Sequence, residues 1–216
     1  MKNVLIPTKL NPVAAEMLEN NNVNVVQEPD TELTELAKQY PETQALIVRS
    51  NKIGPEIIDA FPKLRLIIRA GAGYNTIDPK YARKNNIDVM NTPGANANAV
   101  AEEVVALVLG HYRHLVRGDN TTRAGEWEKK KLMGRELTGK TVGIVGLGNI
   151  GQLVARRTSG FDVTVLGYDP VISENRAEKI GVKLVDLETL FKESDVVTLH
   201  VPETEDTAGM VNRDLL

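Results

Sequence analysis

Residues 134–151 read GRELTGKTVGIVGLGNIG, and the stretch fits two phosphate-binding spacings at once. Its first half, GRELTGKT, has the G-x-x-x-x-G-K-[ST] spacing of a P-loop, and its second half, GLGNIG, has the G-x-G-x-x-G spacing of a dinucleotide-binding turn. A P-loop is delivered by a buried strand and opens a helix at its Lys-Ser/Thr, so that helix amides face phosphate. Here the preceding GEWEKKKLM (125–133) is too charged for a buried strand, and the following Val-Gly-Ile-Val is strand-like where a helix is required. The context is inverted on both sides, so the P-loop match is a coincidence.

The second match has its requirements in order. A strand over 141–145 runs into Gly146, Gly148 and Gly151, and a helical pattern with Leu153, Val154 and Ala155 follows over 152–158. In such a turn Gly146 permits the tight bend, Gly148 lets the backbone approach a pyrophosphate, and Gly151 allows close helix–strand packing. The pyrophosphate sits over the unpaired amides and positive dipole end of the helix. The next strand, DVTVLGYD (162–169), ends in Asp169, where an acid takes the ribose hydroxyls of the adenosine half. That acid also repels a 2′-phosphate, and no arginine follows it directly, so NAD is expected rather than NADP.

Working outward, residues 1–95 alternate short apolar runs (4–6, 23–26, 45–48, 64–68 and 87–90) with helical patterns, among them NPVAAEMLEN and TELTELAKQ. Asn11 and Pro12 suit a helix start. Alternation of this kind implies parallel strands joined by crossover helices, an α/β layered fold. Apolar residues at 101, 104, 105, 108, 112 and 115 predict one long amphipathic helix over 97–116, stopping at Arg117-Gly118. His111 and His114 then lie three apart on it, with no further ligand set to make them a metal site. A charged connector, 119–131, leads to the second α/β run, with strands over 141–145, 163–166 and 196–199 and helical patterns over 173–179 and 186–192. Two α/β domains result, 1–96 and 97–216.

Composition narrows the partners. A net charge of −3 gives no nucleic-acid footprint, and the absence of cysteine rules out disulfides, thiolate metal sites and a cysteine nucleophile. The apolar run before Pro7 is too short for a signal peptide, and no stretch has the length of a membrane span. A cytoplasmic setting without membrane or nucleic-acid partners is expected.

The sequence resembles the D-2-hydroxyacid dehydrogenase family along its whole length, through LIVRS (46–50), RAGAGYNTID (69–78), VMNTPGANANAVAEE (89–103), residues 125–151, GYDP (167–170) and LHVPETEDT (199–207). Within the family it is nearest to the members that oxidise D-3-phosphoglycerate with NAD, the opening reaction of serine synthesis. The resemblance implies a flavodoxin-like substrate domain over 1–96, a Rossmann NAD-binding domain over 97–216, a small anionic 2-hydroxy acid as substrate, and a homodimer. It places the substrate carboxylate against the backbone of the Ala70–Gly73 loop, with Ala72 and Gly73 in contact. Arg49, Ser50 and Arg69 become substrate residues, Arg49 at the phosphate, and Lys129 reaches a phosphate from the partner subunit.

For NAD the resemblance implies Ala72, Gly146, Gly148, Asn149, Ile150, Gly151, Asp169, Val201 and Pro202, the last two bordering adenine. His200 belongs to that segment and is not the family's catalytic histidine. The family's catalytic arginine, glutamate and histidine fall on segments that would follow Asn212–Leu216. The chain is therefore expected to be truncated, to hold one mononucleotide half of three principal strands, and to be inactive by itself. The alternatives are another 2-hydroxyacid dehydrogenase, of glyoxylate/hydroxypyruvate or D-lactate type, or a non-catalytic NAD-binding module.

Overall fold

Five apolar runs in the first part of the chain become five short strands. In the computed structural model, which describes residues 2–215, β1 (Lys2–Ile6), α1 (Val13–Glu19), β2 (Val23–Gln27), α2 (Leu33–Gln39) and β3 (Ala45–Val48) come first. They are followed by α3 (Pro55–Ala60), β4 (Leu66–Arg69), α4 (Pro79–Lys84) and β5 (Asp88–Asn91). All pairings are parallel and the order is β2-β1-β3-β4-β5, a flavodoxin-like arrangement. β3 is buried along its whole length because helices cover both faces of a parallel sheet. Leu5, Leu46, Val48 and Ile67 pack with Leu36, Ile58 and Phe61 on one face, and Val4, Ile6, Ala45 and Ile47 pack with Ala15 and Leu18 on the other.

Helix starts here follow local chemistry. The Asn11 side chain accepts the Val13 amide at 3.0 Å, so α1 begins one residue later than Pro12. Proline opens both α3 and α4, where its missing N–H costs nothing, and Asp78 caps α4 by accepting the Tyr81 amide at 2.9 Å.

The chain divides into two compact units between Asn96 and Ala97. The second contains α5 (Ala97–Tyr112), α6 (Leu115–Arg123), β6 (Thr141–Val145), α7 (Asn149–Thr158) and β7 (Thr164–Tyr168), then α8 (Glu174–Lys179), β8 (Lys183–Leu184), α9 (Leu187–Glu193) and β9 (Val196–Leu199). Its sheet is again parallel, in the order β8-β7-β6-β9. Val142, Ile144 and Val165 face α5, α7 and α8 through Ala101, Val154, Ala155 and Ala177, while Val145 and Leu166 face Leu190 of α9.

Two expectations need correction. The single helix over 97–116 is broken at Arg113–His114, where His114 has φ of 51°, and α6 runs straight through the expected stop and into the expected connector. The returning chain makes the break: Arg135 N–H donates to Tyr112 O at 2.9 Å, taking a carbonyl that would otherwise end α5 unsatisfied. His114 thus lies off the α5 helix rather than on a shared face with His111. The second correction is β8, a two-residue strand absent from the sequence reading. With β8 present, β9 is the fourth strand and lies on the far side of β6. No helix among the described residues is long and apolar enough to cross a membrane.

Candidate functional site

In an open parallel sheet, ligands bind beyond the carboxyl ends of the strands where the strand order reverses. In the second unit that point lies between β6 and β9. Gly146 follows β6 and His200 follows β9, and they are close: a Cβ on Gly146 would stand 2.7 Å from His200 O and 2.9 Å from a Val201 methyl. Gly146 also has φ of 91°, a conformation glycine adopts without a Cβ penalty.

The other two glycines differ in what surrounds them. A Cβ on Gly151 would be 2.0 Å from Gly146 O, so this glycine lets α7 press against the turn. A Cβ on Gly148 would meet nothing within 4 Å, leaving an open approach to the backbone in front of the α7 N-terminus. The first-turn amides of Asn149 and Ile150 have no carbonyl one turn earlier to bond, and the helix dipole adds positive potential there. The residues present therefore fit a pyrophosphate.

Asp169 ends β7 half-buried and serves the loop directly. Its Oδ2 accepts the Leu147 amide at 2.7 Å, and its Oδ1 accepts the amides of Val171 at 2.8 Å and Ile172 at 3.1 Å. Burial works to raise its pKa, but these three backbone donors prevail and hold the carboxyl below the usual aspartate range. It is ionised at neutral pH and keeps acceptor capacity for hydroxyl groups.

Of the remaining residues predicted for the cofactor, Asn149 is exposed on the first turn of α7, and Ile150 packs against the core beneath it. Val201 packs with Val145 and Leu166, while Pro202 is exposed and its carbonyl accepts the Thr207 hydroxyl at 2.6 Å. His200 contacts Thr198, Oγ1 to Nε2 at 3.0 Å, and burial lowers its pKa. Sequence reading missed Gln152, whose Nε2 donates to Leu147 O at 2.7 Å. Only its place beside Gly151 marks it in the sequence.

The rejected P-loop match also finds its explanation. Gly134 lies where a Cβ would be 2.3 Å from Tyr112 O, and Gly139 has φ of 73°. Lys140 pairs with Asp195 at 3.2 Å rather than facing a cradle.

In the first unit the predicted substrate residues follow two adjacent strands. Arg49 and Ser50 come directly after β3 and are exposed, and Arg69 to Gly73 close β4. Val48 pairs with Arg69, and Ala70 N–H donates to Val48 O at 2.7 Å, so the two segments stand side by side. Ala72 O accepts the Asn91 side chain at 2.6 Å, which anchors the glycine loop. Neither arginine has a carboxylate partner among the described residues, and Arg69 Nε is buried without a hydrogen bond. Lys129 belongs to the second unit, exposed next to Glu128, which instead holds Arg117 and Lys131.

Comparison with known proteins agrees with this geometry. Residues 105–216, more than half of the chain, match the D-isomer specific 2-hydroxyacid dehydrogenase NAD-binding domain. The chain belongs to the D-isomer specific 2-hydroxyacid dehydrogenase family. It carries that family's NAD-binding domain, and the glycine loop with Asp169 lies within it. A D-3-phosphoglycerate dehydrogenase from Archaeoglobus fulgidus is 41% identical over 97% of the chain and 40% of its own length. A hydroxypyruvate reductase from Thermotoga maritima is 44% identical over 95% of the chain and 66% of its own length. Among solved structures, NAD⁺-bound 3-phosphoglycerate dehydrogenase from Entamoeba histolytica aligns with a TM-score of 0.80 and 32% identity, covering 100% of this chain and 67% of that one. The chain thus spans less than half of the first of these dehydrogenases and about two thirds of the other two.

Proposed function

We propose that this chain supplies the cofactor loop and the anion-binding loops of an NAD-dependent dehydrogenase that oxidises D-3-phosphoglycerate to 3-phosphohydroxypyruvate, at the entry to serine synthesis. The observation that carries the substrate is the pair of arginines, Arg49 and Arg69, at the ends of adjacent strands without carboxylate partners among the described residues. A doubly anionic phosphate suits such unneutralised guanidinium groups, which hydrogen-bond it in a fixed fork. The Ala70–Gly73 backbone is assigned to the substrate carboxylate, Ser50 to the phosphate beside Arg49, and Ala72 to the cofactor as well. Lys129, exposed on its own segment, is assigned to substrate bound by the second subunit of a homodimer.

In the loop that Gly146 and Gly151 shape, the Gly148 backbone holds the pyrophosphate with the Asn149 and Ile150 amides, Asp169 takes the adenosine ribose, and Val201 and Pro202 border the adenine. NAD held by these residues would supply the acceptor for the hydride released from the carbon that carries the substrate hydroxyl. None of the three histidines is placed as its general base: His200 is turned to Thr198 and has a lowered pKa, and His111 and His114 have no carboxylate partner among the described residues. The 216-residue chain by itself is therefore expected to bind without turnover.

A second substrate within the class, hydroxypyruvate with glycerate as its reduced form, is favoured by the likeness to the Thermotoga reductase. Turnover of a complete enzyme carrying these residues separates the two. Phosphoglycerate should be preferred over glycerate, and Arg49→Ala should raise KM for phosphoglycerate by roughly 10- to 100-fold, the worth of one charge-assisted hydrogen bond. Equal turnover of glycerate, unaffected by Arg49→Ala, would transfer the assignment to the unphosphorylated acid.

A further inference from the structure

Leu147 sits between the first two glycines of the loop, and the structure grips it at three points. Its side chain is buried, with its Cδ atoms closing on Gly167, where a Cβ would come within 2.8 Å. Its N–H donates to Asp169 Oδ2 at 2.7 Å. Its carbonyl accepts from Gln152 Nε2, also at 2.7 Å. Because a carbonyl only accepts, the amide end of Gln152 must be the end turned toward it.

These contacts fix two successive peptide planes. A peptide unit is planar and trans, so its C=O and N–H point in opposite directions. Asp169 therefore pins the 146–147 peptide, whose other end, Gly146 O, rests against the Cα of Gly151. Gln152 in the same way pins the 147–148 peptide, and that peptide carries the Gly148 N–H. With Leu147 O drawn toward Gln152, the Gly148 N–H is directed away from it. Glycine makes this restraint matter, since its backbone has the widest conformational freedom and nothing within 4 Å crowds a Cβ position there. Without the Gln152 contact, the 147–148 peptide loses the hydrogen bond at its carbonyl end.

We propose that Gln152 is a positioning residue for cofactor binding: its side-chain amide orients the 147–148 peptide so that the Gly148 N–H is preset toward the pyrophosphate. The proposal rests on the reading of residues 146–151 as a dinucleotide loop. Gln152 itself need not touch the ligand, and its contribution lies in reorganisation avoided when the anion arrives.

The test uses Gln152→Met in the full 216-residue chain, which keeps length and loses the donor. Probes are ADP-ribose, which carries the pyrophosphate, and adenosine, which does not. Affinity for ADP-ribose should fall about three- to tenfold, the worth of one neutral hydrogen bond, while adenosine affinity and the melting temperature change little. The amide resonances of Leu147 and Gly148 in the free protein should shift or broaden in the variant, a readout that needs no ligand. Equal loss for both ligands would reduce Gln152 to a structural role and overturn the proposal, as would unchanged ADP-ribose affinity or unchanged loop resonances. Failure of the unmodified chain to bind ADP-ribose would instead refute the dinucleotide reading, and the resonances would still decide whether Gln152 sets the loop.

Discussion

Gly148 and Gly151 lie three residues apart in one motif, yet their substitutions should fail in different ways. Gly148 has extended backbone angles, φ −73° and ψ −156°, and open space around it. Gly148→Ala should therefore fold normally and lose dinucleotide affinity, because its methyl stands in the approach to the backbone. Gly151→Ala drives a methyl into Gly146 O and should cost about 3 kcal/mol of stability. Urea unfolding and NAD titration of both variants separate the two effects, and equal destabilisation would contradict the assignment.

Asp169 has a pH signature. Its folded pKa is lowered, so the native state binds the proton less readily than the unfolded chain. Its stabilisation is complete above about pH 3.9, the ordinary aspartate value, and is lost as pH falls through the lowered folded value. The stability gap between the parent chain and Asp169→Asn, measured by urea unfolding, should hold from pH 7 to about pH 5 and shrink at lower pH. A gap that widened on acidification would have the wrong sign. The positions of the glycines and of the terminal acid were legible at this scale because the first mark a turn between strand and helix and the second closes an apolar run. The Gln152 and Asp169 bonds to Leu147 were not, since they depend on how a side chain folds back across space.

At the scale of elements, buried strands were the most legible. The runs 45–48 and 141–145 coincide with β3 and β6, because parallel strands covered on both faces read as largely apolar sequence, and 196–199 coincides with β9, an edge strand that is only partly buried. Six-residue α3 and α4 were not singled out, although α8 of the same length was, and β8 has only two residues. The α5–α6 break was invisible for another reason. Neither Gly nor Pro stands at Arg113–His114, and what ends α5 is Arg135, more than twenty positions later, binding Tyr112 O. The left-handed His114 is accordingly strained. His114→Gly should raise stability by about 0.5–1 kcal/mol, read as a higher urea midpoint, whereas His114→Val should lower it. Gain of stability on adding valine would mean that no break is enforced there.

At the scale of the molecule, an α/β chain with two parallel sheets followed from the alternation of strand and helix patterns, and the strand orders then locate the chemistry. Each unit carries its own core and its own reversal of strand order, between β1 and β3 in one and between β6 and β9 in the other. Apart from Lys129, which precedes β6, the candidate residues sit at or beyond the carboxyl ends of the strands in both units, as the topology requires. The specific hydroxy acid was not legible, because relatives named for different substrates share this scaffold at similar identity. The central claim is that residues 146–151 with Asp169 bind NAD and reject the 2′-phosphate. Calorimetric titration of NAD and NADP into the 216-residue chain tests it most directly. NAD should bind with one site per chain and NADP about tenfold or more weakly, because the Asp169 carboxylate opposes the added charge. No heat with NAD, or equal affinity for NADP, would contradict it.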